Sequence, residues 1–405
     1  MESTNMVAIV KEHSLTSNID KCRLLLIGIL IFYIFCFQYV FYPINGFLSL
    51  LGVMLAFLEV LRLSPKYYKR IGYICTFIIF AALFGSLTAY DINAHIRLIV
   101  NMMQYCLPMI AICGYVGNNG KRLSNILQIM SFTTIILAIS LIFNGVKFTD
   151  YGAVTVGDLN TNVLSCFLMI GLLSQLFLLC ECKKSIMKII LFCGIFIELV
   201  AQMRASSRRG LVIFVFLLGV YFLLAYFIRY KKNSIMKLFL VVSVIVIFFI
   251  FMANFYSLAD KYVILRRLFM GEFNSGDALR EKYQSAAFEL FKEAPIFGQG
   301  FGCVSARVGM YSHSMYYETL ASTGVLGGFL LFGSILSNMF KFLKRAKSSK
   351  LEELKMKCYM GACGFFVILL SGIAVVSIFD AYFYIMLGIL GALGNVAFQN
   401  QKGNL

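Results

Sequence analysis

His313, Arg280 and the run Arg204, Arg208 and Arg209 are the residues of this chain whose types and spacing could do chemistry. An imidazole takes a proton from a hydroxyl near neutral pH. A guanidinium presents a planar fork that binds phosphate or carboxylate bidentately, which a lysine cannot do. Arg204 and Arg208 are four residues apart and share a face if one helix carries both. Two guanidinium groups so placed repel each other unless an anion lies between them. The set is suited to holding an anionic leaving group while a hydroxyl is deprotonated. His313 stands in Tyr311-Ser-His-Ser-Met-Tyr-Tyr-Glu, at the expected start of an apolar helix.

Other chemistries find little support. No Asp-x-Asp occurs, so the usual carboxylate clamp for a divalent metal on a sugar nucleotide is missing, and neither HExxH nor GxSxG appears. No cofactor and no metal site is expected. The 12 cysteines lie mostly within apolar runs and form no CxxC pair, which supports neither a zinc site nor a disulfide framework. Gly298-Gln-Gly-Phe-Gly302 looks like a nucleotide-binding loop, but no strand precedes it and it falls on the predicted outer side. A tight turn leading the chain back into the membrane is the better reading, its backbone N–H groups remaining available to a phosphate. Of the other histidines, His13 is in the polar N-terminal tail and His95 falls in a short predicted outer turn. Four acids, Glu59, Glu198, Glu318 and Asp380, fall within or beside apolar runs, where charge is costly and usually faces a cavity.

The elements that must position these residues are membrane helices. Sixty per cent of the 405 residues are hydrophobic and 14% are charged, and mean hydropathy is +0.84. Apolar stretches of about 20 residues recur, the length that crosses ~30 Å of hydrocarbon. Twelve spans are expected, near 23–42, 44–63, 71–90, 96–116, 125–143, 159–180, 186–203, 210–228, 236–257, 315–340, 359–379 and 381–398. The net charge of +17 does not imply nucleic acid here, because basic residues flank the cytoplasmic ends of spans. The clusters at Arg62–Arg70, Lys121–Arg122, Lys183–Lys188, Arg229–Lys237 and Lys341–Lys357 all fall on one side, which places both termini in the cytoplasm.

The expected architecture is therefore all-α: one polytopic membrane domain of about 12 helices over 1–405, with one large extracytoplasmic loop at 258–314. Within that loop, Asp277 is positioned to cap an amphipathic helix over Ala278–Ala294, which Pro295 ends. The outer side carries eight arginines (Arg97, Arg204, Arg208, Arg209, Arg266, Arg267, Arg280 and Arg307) against four lysines, whereas lysine dominates inside. Topology asks only for positive charge inside and gives no reason for arginine outside. An anionic ligand at the outer surface would.

In this order the features resemble the O-antigen ligase and polymerase family, membrane enzymes of lipopolysaccharide and capsule assembly. The resemblance covers 160–330. It rests on Asp158-Leu-Asn160, on Ser207-Arg-Arg-Gly210, on Arg280 leading a helix that ends in Pro295-Ile-Phe-Gly-Gln-Gly300, and on His313-Ser314 before Gly324-Val-Leu-Gly327. Ser314 stands where the family commonly has Asn. The resemblance implies glycosyl transfer from an undecaprenyl-pyrophosphate-linked glycan on the outer face of the bacterial cytoplasmic membrane, as a polymerase or as a ligase. His313, Arg280 and Arg208 would be catalytic; Arg204, Arg209, Arg266, Arg267, Arg97 and Asn160 would bind substrate. Lipid-linked donor and acceptor, membrane lipids, a chain-length regulator and a flippase are the implied partners. A non-enzymatic transporter of lipid-linked sugars is the competing class.

Overall fold

The computed structural model describes residues 18–37, 52, 54–55, 58–59, 67–147, 154–156, 160–229, 235, 238, 242, 264–265 and 275–399. The expected spans at 44–63 and 236–257 fall largely outside the described residues, as do Arg266 and Arg267. The chain is a bundle of apolar helices. In order these are α1 (18–32), which runs into a π-helical turn at Tyr33–Phe37, then α2 (Gly72–Thr88), α3 (Ile92–Val116) and α4 (Gly120–Asn144). Then come α5 (Thr161–Glu181), α6 (Ser185–Ala205) and α7 (Arg208–Leu224), whose last turn widens at Ala225–Arg229. The outer segment supplies α8 (Ser275–Glu293) and α9 (Cys303–Val308). Finally α10 (Met315–Gly328), a π-helical turn at Phe329–Gly333, α11 (Ser334–Ser348), α12 (Glu352–Ser371) and α13 (Ala381–Gln399) complete the bundle. Two-residue strands at Val146–Lys147 and Val154–Thr155 pair antiparallel above α4.

Among the described residues eight helices are long and apolar enough to cross a membrane, with the shorter apolar α2 beside them. The protein is thus an all-α, multi-pass membrane protein. α5 is central: 94% of its most apolar window is buried, against 33% for α6 and α7 at the periphery. For one span, charge pairing explains why the observed bounds differ from the expected ones. The span expected at 359–379 is instead Glu352–Ser371. Its first turns carry Glu353 and Lys357, which pair with each other at 2.8 Å, and Lys357 also reaches Glu181 on α5 at 2.5 Å. Paired charges enter a helix that hydropathy alone would start later.

Polar residues inside the bundle are matched to glycines. Glu198 on α6 is fully buried and accepts the Thr134 hydroxyl at 2.6 Å. A Cβ on Gly171 of α5 would fall 2.2 Å from that carboxylate. One turn on, Gln202 donates to Ser165 at 2.5 Å, and a Cβ on Gly210 would fall 1.6 Å from the Ser165 hydroxyl. Small residues let these helices approach closely enough for the polar groups to hydrogen-bond between them.

Candidate active site

A break in one helix organises the outer end of the bundle. α10 carries non-helical angles at Gly324 (φ 63°, ψ −168°), which free the carbonyls of Ala321 and Ser322. The glycine turn fills the gap. Gln299 N–H donates to Ala321 O and Gly300 N–H to Ser322 O, both at 2.9 Å, while Val325 N–H returns to Pro295 O at 2.9 Å. The fit needs glycine on both sides: a Cβ on Gly298 would lie 2.3 Å from the Ser322 backbone, and one on Gly324 2.2 Å from Ile296 O.

The next N–H, of Phe301, donates to His95 Nδ1 at 2.8 Å. His95 is therefore not in an outer turn. It is buried inside α3, which starts earlier than expected because Asp91 caps it by accepting the N–H groups of Asn93 and Ala94 at 3.0 Å. The expectation that this turn keeps N–H groups for a phosphate is also corrected. Those of Gly298, Gln299, Gly300 and Phe301 are all bonded within the protein.

Fixed by this wedge, the following loop delivers His313 to a cavity of about 200 Å³ lined also by Asn160, Asn162, Tyr311, Phe379 and Asp380. His313 has φ 56°, in the left-handed region where a non-glycine residue is strained. Its neighbours hold it there. Ser312 N–H donates to the buried Glu318 carboxylate at 2.8 Å, Ser312 Oγ donates to Ser314 O at 2.9 Å, and Met315 N–H donates to Gly372 O at 2.7 Å. Glu318 is thereby committed to shaping the loop. The imidazole sits 4.4 Å from the Tyr311 ring and 6.0 Å from that of Tyr283 on α8, centroid to centroid.

Arg280 is half-buried three residues before Tyr283, so both belong to one helix face. That face buries Ala287 and Leu290 against α10. Burial, and secondarily the Arg280 charge, hold the His313 pKa below its usual value, which leaves a neutral imidazole at pH 7. Across the cavity, burial pushes the Asp380 carboxyl up to about 7. The Tyr311 phenol is raised by burial first and then by Asp380. An imidazole, a carboxyl and a phenol thus meet beside a guanidinium, a combination that can accept a proton while countering negative charge.

The remaining expected residues divide. Asn160 lines the cavity while capping α5, where its side chain accepts Asn162 N–H at 2.8 Å. Asn162 Oδ1 accepts the Ser207 hydroxyl at 3.1 Å, tying the cavity wall to the residue before Arg208, the first of α7. Arg209 donates from Nη1 to Ser371 O at 3.1 Å, at the end of α12 and beside the 372–380 turn. Arg204 is turned onto the Ile142 carbonyl in the last turns of α4. Arg97 is exposed on α3, and Arg307 pairs with Glu293 at 2.6 Å on the surface. From the sequence, Asp380 is an acid at an outer turn and, with Glu318, the alternative base should His313 not serve. The available signal was a carboxylate in an otherwise apolar turn between two spans.

Fold and site together define a polytopic helical membrane protein with a small cavity, lined by titratable side chains, at one end of its bundle. Residues 193–332 match the family model described as O-antigen ligase. The resemblance drawn from the sequence is borne out over that segment, which takes in Arg204, Arg208, Arg209, Arg280, the glycine turn and His313. Glycan transfer of the O-antigen ligase or polymerase type is the activity this match supports. Asn160 and Asp380 lie outside it. No curated protein sequence matches the chain. A solved structure described as "Structural coordination of polymerization and crosslinking by a peptidoglycan synthase complex" is similar at a TM-score of 0.46 and 11% identity, covering 82% of this chain and 98% of that chain.

Proposed function

We propose that the protein polymerises undecaprenyl-pyrophosphate-linked oligosaccharide repeat units into a surface polysaccharide, on the outer side of the bacterial cytoplasmic membrane. The observation that carries this reading is the imidazole of His313 lining a cavity together with Asp380 and Tyr311, with Arg280 near enough to act on it by charge. A glycosyl pyrophosphate is already activated and needs a cation clamp, a base and alignment. Arg280, with Arg208 at the start of α7, neutralises the pyrophosphate. His313 takes the proton from an acceptor hydroxyl as its oxygen attacks the anomeric carbon. The bond from that carbon to the pyrophosphate oxygen breaks, the polyprenyl pyrophosphate leaves as an anion, and the carbon's configuration inverts. The clamp is supplied by arginine rather than by metal, in keeping with a sequence that lacks an Asp-x-Asp motif. Asp380, opposite His313, is the second candidate for the proton. A chain-length regulator and a flippase are the partners this reaction would need.

The ligase reading is favoured by the description of the matched family. It differs in the acceptor, a lipid A-core in place of a second repeat unit. A transporter would spread its cations through the membrane depth, whereas Arg208, Arg209 and Arg280 gather around one end of the bundle. The test is His313→Ala in cells making the polymer. Single lipid-linked units should accumulate at unchanged protein level, and long chains made at near-normal rate would overturn the role. Loss of transfer to lipid A-core, with chain length untouched, would select the ligase.

A further inference from the structure

A larger cavity, of about 920 Å³, opens at the other end of the bundle. α13 connects the two. Asp380, the residue before it, lines the His313 cavity, and Phe398 in its last turn lines the larger one. The 18 residues Ala381–Phe398 rise about 27 Å as a helix, close to the ~30 Å thickness of hydrocarbon. α2 spans the same interval: Tyr73 in its first turn lines the larger cavity, and Ala89, just past its last residue, packs on Gly300. The larger cavity therefore faces the leaflet opposite the proposed reaction.

Its lining combines basic and apolar side chains with neutral polar ones, Ser334, Ser337, Asn338 and Asn395 among them. Lys69, Arg70 and Lys341 bring three positive charges, and among the described residues no carboxylate lines the cavity. Among the described residues none of the three is in an ion pair. Arg70 is half-buried with its guanidinium carbon 4.0 Å over the Phe398 ring, and burial lowers its pKa. A cation held partly out of water against an aromatic face alone is incompletely compensated. Phe329 and Leu330 of the π-helical turn supply an apolar part of the lining. Phe329 is 73% exposed, on a helix long enough to span, so it faces hydrocarbon. π-helical turns within helices recur at functional sites.

Cations beside a membrane-facing apolar wall call for a ligand that carries both a phosphate and a hydrocarbon tail. We propose that this cavity binds the headgroup of an anionic lipid of that leaflet, its phosphate among Lys69, Arg70 and Lys341 and its tails along Phe329 and Leu330. A soluble phosphate shares the headgroup chemistry, but has no use for the apolar wall.

The test uses the full-length protein in detergent, titrated with fluorescent short-chain phosphatidylglycerol and read by anisotropy. Lys69 and Lys341 are exposed, so Lys69→Gln with Lys341→Gln should keep the fold and weaken binding at least fivefold. Lys121→Gln with Lys347→Gln removes the same charge at the same end without touching the cavity, and should weaken binding less than twofold. Arg70→Gln alone should also weaken it. Equal weakening by the two pairs, or equal affinity for phosphatidylcholine, would overturn the site. Displacement of the probe by inorganic pyrophosphate, at concentrations where sulfate at equal ionic strength has no effect, would overturn the lipid in favour of a soluble phosphate.

Discussion

Arg280 affects His313 through charge, and its own role depends on shape as much as on sign. If its fork grips pyrophosphate, Arg280→Lys keeps the charge and loses the bidentate geometry, so kcat/KM should fall on the order of 10–100-fold, from loss of a charged hydrogen bond worth about 1.5–3 kcal/mol. Arg307→Lys, on the same outer surface but paired with Glu293, should change the rate less than twofold. Equal tolerance at both positions would move the site. The two candidate bases differ in the pH at which they fail. Asp380, pushed up to about 7, gains a proton as pH falls through that value. His313, held below its usual pKa, stays unprotonated to lower pH. A kcat profile that falls tenfold per unit only below about 6.5 identifies His313. One that falls already from about 7, and loses that limb in Asp380→Asn, identifies Asp380. At this scale the sequence showed side-chain types but not company. Arg280 and His313 stood out as candidates because each borders a helix at the one long polar interruption of an apolar chain. That Asp380 faces His313 was not legible, since nothing local joins residue 380 to residue 313, and Arg204's engagement with Ile142 O arises only from helix packing.

The wedge of Pro295–Gly302 into the broken helix α10 is the element on which the site's geometry depends. Gly298→Ala places a methyl 2.3 Å from the Ser322 backbone at a φ of +73°, so neither side chain nor main chain can yield easily. A loss of more than about 2 kcal/mol is expected, from strain at a special backbone position. A scanning measurement of the detergent-solubilised protein should show it as a lower melting temperature, with activity falling in parallel. Gly219→Ala is the comparison, because a Cβ there meets nothing within 4 Å; it should leave melting unchanged or slightly raised. The helix at Ser275–Glu293 was readable from its apolar spacing and the proline after it. The turn was readable as a turn, from its glycines. That it would plug a gap in α10 was not, because the gap depends on Gly324, one glycine among several in a sequence that otherwise reads as continuous helix.

Across the whole molecule, the basic residues set a direction that the fold does not by itself reveal. Reporter fusions after Lys69 and Lys184 should register the cytoplasm, and fusions within 278–294 the exterior. A cytoplasmic signal from the latter would remove the proposed donor from reach of His313. The class of fold was legible from hydropathy, since repeated runs of about 20 apolar residues admit little else. The span boundaries were less so. α10 and α11 form 34 continuous residues because lysines follow the helix out of the membrane, and α12 begins early because Lys357 is neutralised by two glutamates.

The bond from Phe301 to His95 joins residues 206 positions apart, and this separation imposes an order of events on synthesis. At about 5–20 residues per second, some 10–40 s pass between the emergence of the two. Throughout that interval the receptor on α2 and α3 is complete but vacant. It consists of His95, with the notch at Gly85 where no Cβ would fit beside the imidazole. The reacting end of the protein is thus locked only after α1 to α8 have been made. A chain that stops before Pro295 would leave Nδ1 of a polar imidazole without its donor among apolar helices.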